Sequence, residues 1–152
     1  MFVLIFGLSL ISFGRFENAP TFGISAECLE YEILDDATRN FEYGDGIYCD
    51  DSIDSDTSPD WKGPGWYRMM SPAGTKMLEV TIPDYKCGTH ATGWLNGTHP
   101  DLLGETVDRT VCFNWASNSC TWSSSVKVKN CGGYFLYYLP KAPNCQLRYC
   151  AE

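Results

Sequence analysis

With 152 residues, 14% of them aromatic, the chain is long enough for one domain with a core of its own. Its formal charge of −8 is interrupted by no cluster of Lys or Arg, which excludes nucleic acid and anionic lipid from the expected partners. Eight cysteines, an even number, stand at positions 28, 49, 87, 112, 120, 131, 145 and 150 and read as four bridges formed in an oxidising, extracellular compartment. No paired CxxC spacing is present, so neither a metal nor any other cofactor is expected.

The first element in chain order is a leader. Phe2 to Phe13 is an almost unbroken apolar run that ends in small residues around Ser12 and Gly14. It has the length of a signal-peptide core and falls short of the ~20 residues that span a bilayer. The reading is a signal peptide over residues 1–14, with a cut possible as late as Ala26, then an N-terminal extension over 15–27 and one eight-cysteine domain over 28–150. No later stretch is long and apolar enough to insert as a helix, and no hydrophobic tail follows Cys150, so a secreted product is expected.

Only Leu29 to Asn40 offers helical signals, with Asp35 and Asp36 suited to a helix N-terminus, and a turn or two is expected there. The remaining signals have period two. Leu78, Val80 and Ile82 alternate with Glu79 and Thr81; Val107, Arg109, Val111 and Phe113 share one face; Val126 and Val128 alternate with Lys127 and Lys129. Tyr134 to Leu139, bounded by Gly132-Gly133 and Pro140, reads as a strand buried on both faces and as the centre of the sheet. With 14 glycines and 8 prolines in the connections, the expected fold is mainly β: a small, disulfide-stapled, loop-rich domain with little helix.

Cys112 and Cys120, separated by a segment rich in turn formers, are placed to close a local loop; spacing leaves the other six cysteines open. Asn96-Gly97-Thr98 is the one NxS/T sequon and marks Asn96 as an N-glycan acceptor in an exposed loop. His90 and His99 flank that loop, but two histidines without a third ligand do not make a catalytic zinc site. Ser123 to Ser125 lie in no GxSxG elbow. No catalytic residue is assigned, and the chain is read as non-enzymatic.

Longer motifs carry a resemblance. Gly65-Trp66-Tyr67-Arg68-Met69, Cys87-Gly88-Thr89-His90, Gly93-Trp94-Leu95-Asn96, Cys120-Thr121-Trp122-Ser123, Asn130-Cys131-Gly132-Gly133-Tyr134 and Leu147-Arg148-Tyr149-Cys150 stand in one order over about Cys28 to Cys150. In that order they closely resemble the eight-cysteine extracellular domain of uromodulin and of the pancreatic zymogen-granule membrane glycoprotein. The resemblance implies the pairs Cys28 with Cys131, Cys49 with Cys145, Cys87 with Cys150 and Cys112 with Cys120. Uromodulin carries one more pair, at positions held here by Thr81 and Ser119. Three of the implied bridges close large loops, worth ~4 kcal/mol each in the chain-entropy treatment.

The resemblance also implies a function. The family's glycoproteins act as decoys for mannose-specific bacterial fimbriae through an oligomannose chain, so the expected role is a secreted recognition module that binds an extracellular protein or presents its glycan to lectins or microbial adhesins. The alternative is a structural module of a larger adhesion or zona-pellucida-type matrix glycoprotein; a chain ending two residues after Cys150 fits either. One departure bears on the decoy role. Where uromodulin bears the decoy glycan this chain reads Tyr137-Tyr138-Leu139-Pro140 and has no sequon, so the role would rest on Asn96. A second departure is the longer run between Cys49 and Gly65, with Asp50, Asp51, Asp54, Asp56 and Asp60, read as a solvated acidic insertion. Pro59 and Gly65 stand where an EF-hand needs its glycine and bidentate glutamate. Trp61 and Trp66, at either end of the Lys62-Gly63-Pro64-Gly65 turn, could form a binding surface, with Trp66-Tyr67 expected in the core.

Overall fold

The computed structural model describes residues 23–54 and 56–152. The leader and the cut after Gly14 lie outside the described residues, as does most of the 15–27 extension. Seven strands, β1 (Glu32–Leu34), β2 (Gly65–Met69), β3 (Ala91–Asn96), β4 (Thr106–Trp115), β5 (Asn118–Asn130), β6 (Phe135–Leu139) and β7 (Leu147–Tyr149), form one sheet in the order β1-β2-β6-β5-β4-β3-β7. Two single-turn 3-10 helices, Ala26–Cys28 and Ala37–Arg39, complete the regular structure among the described residues. The fold is mainly β, bridged and loop-rich.

The period-two pattern of β4 and β5 builds the hairpin at the heart of the sheet. Val111 pairs with Ser124 and Val107 with Val128, and Val111, Phe113, Val126 and Val128 are buried. The opposite face is solvated: Asp108 stands across from Lys127, and the two side chains meet at 2.7 Å. The hairpin turns on Ala116 and Ser117, both left-handed at φ 50° and 68°, as a two-residue primed turn requires. The Cys112–Cys120 bridge clamps that tip.

Three expectations change. The central strand is β5, not the Tyr134–Leu139 run; at 13 residues β5 is long enough to carry β4 on one edge and β6 on the other. Within β6, Leu136, Tyr137 and Leu139 are buried, while Tyr138 faces solvent at 40% exposure. Leu78 to Ile82 is not a strand, because its backbone is engaged piecemeal: Leu78 O accepts from Leu95 N, and Ile82 O accepts from Thr92 Oγ1 and Asn114 Nδ2. Leu78 and Ile82 still turn inward and pack on the Cys87–Cys150 bridge, whereas Val80 points to solvent. The Leu29–Asn40 segment yields one short turn, capped by Asp36 accepting from Thr38 N, and gives Glu32–Leu34 to a parallel strand beside β2.

β7 reaches the other end of the sheet because Gly93 makes room for it. A Cβ at Gly93 would lie 2.6 Å from Arg148 O, so the parallel β3–β7 contact depends on its absence. This packing draws Arg148 and Tyr149 beneath the segment that carries Arg39 and the acidic insertion.

The acidic insertion is only partly solvated. Asp54 and Asp56 are exposed, but Asp50 and Asp60 are buried and both bind the fully buried Arg39. Asp50 takes Arg39 in a two-pronged pair at 2.6 and 2.9 Å; Asp60 takes Nη2 at 2.5 Å and Nε at 3.1 Å; Tyr149 O takes the remaining Nη1 donor at 2.9 Å. All five guanidinium N–H groups are thereby used. Asp50 also accepts from Tyr149 N, and Asp60 from Asp36 N. Arg148 lies alongside, bonded to Thr38 Oγ1 and Cys87 O and 3.3 Å from Asp36.

Burial works against Arg39's charge, but Asp50 and Asp60 outweigh it and raise its pKa above the ordinary arginine value. Arg148, buried and facing Arg39, is instead pulled down to about 10. Burial pushes the Asp60 carboxyl upward, but Arg39 more than offsets this and its pKa is lowered. A carboxylate with a folded pKa below its unfolded value of about 3.9 stabilises fully above that pH and loses the contribution as pH falls through the folded pKa.

Arg39→Met leaves two buried carboxylates without their partner and is expected to cost about 3–5 kcal/mol. Urea midpoints at pH 7 will show this, and in the unaltered chain the Asp60 contribution to the midpoint should be lost only below about pH 4.

Candidate glycan-acceptor site and its surroundings

Asn96 is the last residue of β3, where the sheet gives way to the Gly97–Pro100 loop. Asn96, Gly97 and Thr98 are exposed, so both the acceptor amide and the threonine hydroxyl of the sequon are accessible. The Asn96 Nδ2 contact is a weak one, 3.7 Å to Cys112 Sγ. Asn96 pairs with Thr110 and Thr110 with Ser125, so a glycan would leave from the solvated face of the sheet. Arg109 Nε donates to Thr98 O at 2.7 Å and pins the loop back to β4.

The other anchor is His99, which is buried. Its backbone N and its Nδ1 both reach Glu79 Oε1, and its Nε2 lies 2.7 Å from Tyr137 Oη, which in turn accepts from Met77 N. The network assigns the proton to Nδ1, donating to Glu79, with Nε2 accepting from the tyrosine hydroxyl. The ring also packs on Phe135, with centroids 4.4 Å apart. Both ring nitrogens are thus committed. His90 is separately housed, half-buried against Tyr85 and Trp115 and 3.7 Å from Asp45. Among the described residues neither histidine bonds to Ser123, Ser124 or Ser125. The arrangement holds a loop in place and contains no nucleophile–base pair.

Three bridges are present: Cys28–Cys131, Cys87–Cys150 and Cys112–Cys120, spanning 103, 63 and 8 positions. Cys49 and Cys145 face each other with their sulfurs 2.6 Å apart, and an Asp51 oxygen completes a group within 4.8 Å. Burial and the neighbouring sulfur push the pKa of Cys49, taken as a thiol, upward.

Trp61, expected as a possible surface residue, is buried and stacked on Tyr67 at 4.9 Å between centroids. Trp66 turns to the opposite face, edge-on to Tyr138 at 5.6 Å; only Tyr67 of the Trp66-Tyr67 pair enters the core. Sequence reasoning missed the roles of Arg39, Arg148 and Glu79. Their partners lie 11 to 112 positions away, and periodicity carries no signal at that range.

Comparison with known proteins places this geometry. The pattern of the uromodulin-like family of eight-cysteine domains matches residues 67–151, more than half of the chain. The chain belongs to this family. It is 38% identical to uromodulin of Mus musculus over 126 residues, which is 82% of this chain and 18% of that protein. It is 40% identical over 126 residues to the pancreatic secretory granule membrane major glycoprotein GP2 of Canis lupus familiaris, 82% of this chain and 23% of that one. The human GP2 protein is 38% identical over 81% of this chain. The chain therefore spans about a fifth of the length of these relatives. Membership of the uromodulin-like family and the bridges together make it an extracellular domain. Among the described residues no helix is long and apolar enough to cross a membrane.

Burial lowers the pKa of His99 despite Glu79. A histidine with a depressed folded pKa adds its full stability above the unfolded value of about 6.5 and loses it as pH falls through the folded pKa. Thermal melts of the domain should therefore drop between pH 7.5 and pH 5, and His99→Gln should flatten that part of the profile.

Proposed function

We propose that this domain is a non-catalytic extracellular recognition module that presents an N-glycan on Asn96 to lectins or microbial adhesins. The observation that carries the reading is the exposure of Asn96 and Thr98 on a loop fixed by buried His99 and by Arg109. A glycan there leaves from the end of β3, paired to β4, so its attachment point on the protein is fixed, which limits the ordering cost of capture. The commitment of both His99 nitrogens, and the isolation of Ser123 to Ser125 from any histidine, support the non-catalytic part.

A second reading, a structural module within a larger glycoprotein, draws support from the relatives, in which a domain of this kind is about a fifth of a longer protein. The two differ in what the glycan does. The secreted protein should lose mass on treatment with an endoglycosidase specific for oligomannose and should bind mannose-specific fimbriated bacteria, with Asn96→Gln abolishing both. A complex glycan, or an unoccupied Asn96, contradicts presentation to such adhesins and leaves the structural reading.

The same reading takes Cys49–Cys145 as a fourth bridge that ties the start of the acidic insertion to the loop before β7. Alkylation of the denatured, unreduced protein should label no cysteine. Labelling at Cys49 and Cys145 alone contradicts the bridge.

A further inference from the structure

Where β2 and β5 close and β6 begins, the sheet leaves a cleft of about 560 Å³. That is the size range of pockets that enclose a small ligand or a short peptide. Met70, Leu103 and Phe135 give it apolar walls, and Arg68 and Lys76 bring positive charge into a chain that is otherwise strongly acidic.

Arg68 is the unusual member. Its guanidinium lies flat over the Tyr134 ring, 3.9 Å from the centroid, and Nη1 donates to Tyr31 Oη at 3.2 Å. Among the described residues that is its only hydrogen bond, and no carboxylate pairs with it. Nε is shut off from solvent and has no acceptor. In Arg39 the same group uses all five donors on two carboxylates and a carbonyl. A guanidinium held by an aromatic face and one hydroxyl, with Nη2 unpaired and reachable from solvent, offers its Nη edge to a carboxylate.

We infer that this cleft is a binding site for a single carboxylate side chain of a protein partner, flanked by apolar residues, with Arg68 as its anchor. The apolar walls fit the flanking residues. Asp101, which also lines the cleft, opposes polyanions such as sulfated glycans. Lys76 already pairs with Glu152 at 3.2 Å, which leaves Arg68 as the site's free cation. The inference extends the recognition reading to a protein partner but uses a different surface, so failure of glycan presentation leaves it standing.

The test follows the Arg68 Nε–H and the Gly133 and Phe135 amides by nuclear magnetic resonance of the glycosylated, bridged domain. The probe is acetyl-Leu-Glu-Leu-amide, titrated to millimolar concentration, with acetyl-Leu-Gln-Leu-amide as the control. The expected result is a saturable shift of all three signals with the glutamate peptide, and at least tenfold weaker binding of the glutamine peptide. Arg68→Lys, with its remaining amide spectrum unchanged, should weaken the glutamate peptide at least tenfold. Absence of a saturable shift overturns the site, as does equal binding of both peptides. Tighter binding of N-acetylneuraminic acid than of the peptide overturns its assignment to a protein side chain.

Discussion

The buried guanidinium of Arg39 is the point on which the rest of the structure depends. It lies between a 3-10 turn, both ends of the acidic insertion and the last strand, and binds all of them at once. Each donor of a guanidinium with no solvent contact that is left unpaired costs about 1–3 kcal/mol or more. Asp50, Asp60 and the Tyr149 carbonyl supply the partners, so none of the segments can shift without exposing the others to this penalty. The pair is weak evidence for net stability, since desolvation consumes much of the Coulombic gain. Its stronger consequence is specificity: only one placement of the insertion closes all five bonds.

The bridges act on the same problem from the chain side. Cys28–Cys131 fastens the N-terminal turn to the end of β5, and Cys87–Cys150 fastens the loop before β3 to the end of β7. Both close long loops, where cross-linking removes most freedom from the unfolded chain. The short strands β1 and β7, three residues each, would be marginal alone. They persist because the bridges, Arg39 and Arg148 hold them against β2 and β3. What remains free is the solvated face of β4 and β5, the glycan loop and the cleft at Arg68.

Much of this is legible in the amino-acid order. β4, β5 and β6 declare themselves through alternation or a continuous apolar run, because each has one face or both faces in the core. Leu78–Ile82 carries the same alternation without being a strand; side chains bury at that period wherever an extended segment lies over a core, whether or not a ladder forms. The rank of β6 is not legible, because apolar density reports burial, while centrality depends on strand length and on pairing at both edges. Asp50 and Asp60 read as solvated charges, since nothing local distinguishes a carboxylate that meets a distant arginine from one that meets water. The sequon is fully legible as a motif; its mechanical support, His99 between Glu79 and Tyr137, is not, because it joins three segments far apart in the chain.

A scaffold held together in this way suits a domain that displays something. The Asn96 loop and the Arg68 cleft both sit on elements fixed by buried polar groups, so each offers a defined geometry to a partner. The measurement that tests this account most directly is native-state hydrogen exchange, followed by mass spectrometry or by resonance of individual amides. If Arg39 joins the segments into one cooperative unit, the Tyr149 amide that donates to Asp50 and the Cys49 amide that donates to Thr57 should exchange together, at the rate of global unfolding. Rapid exchange at Cys49 while Tyr149 stays protected would show the insertion opening on its own, and would contradict the account.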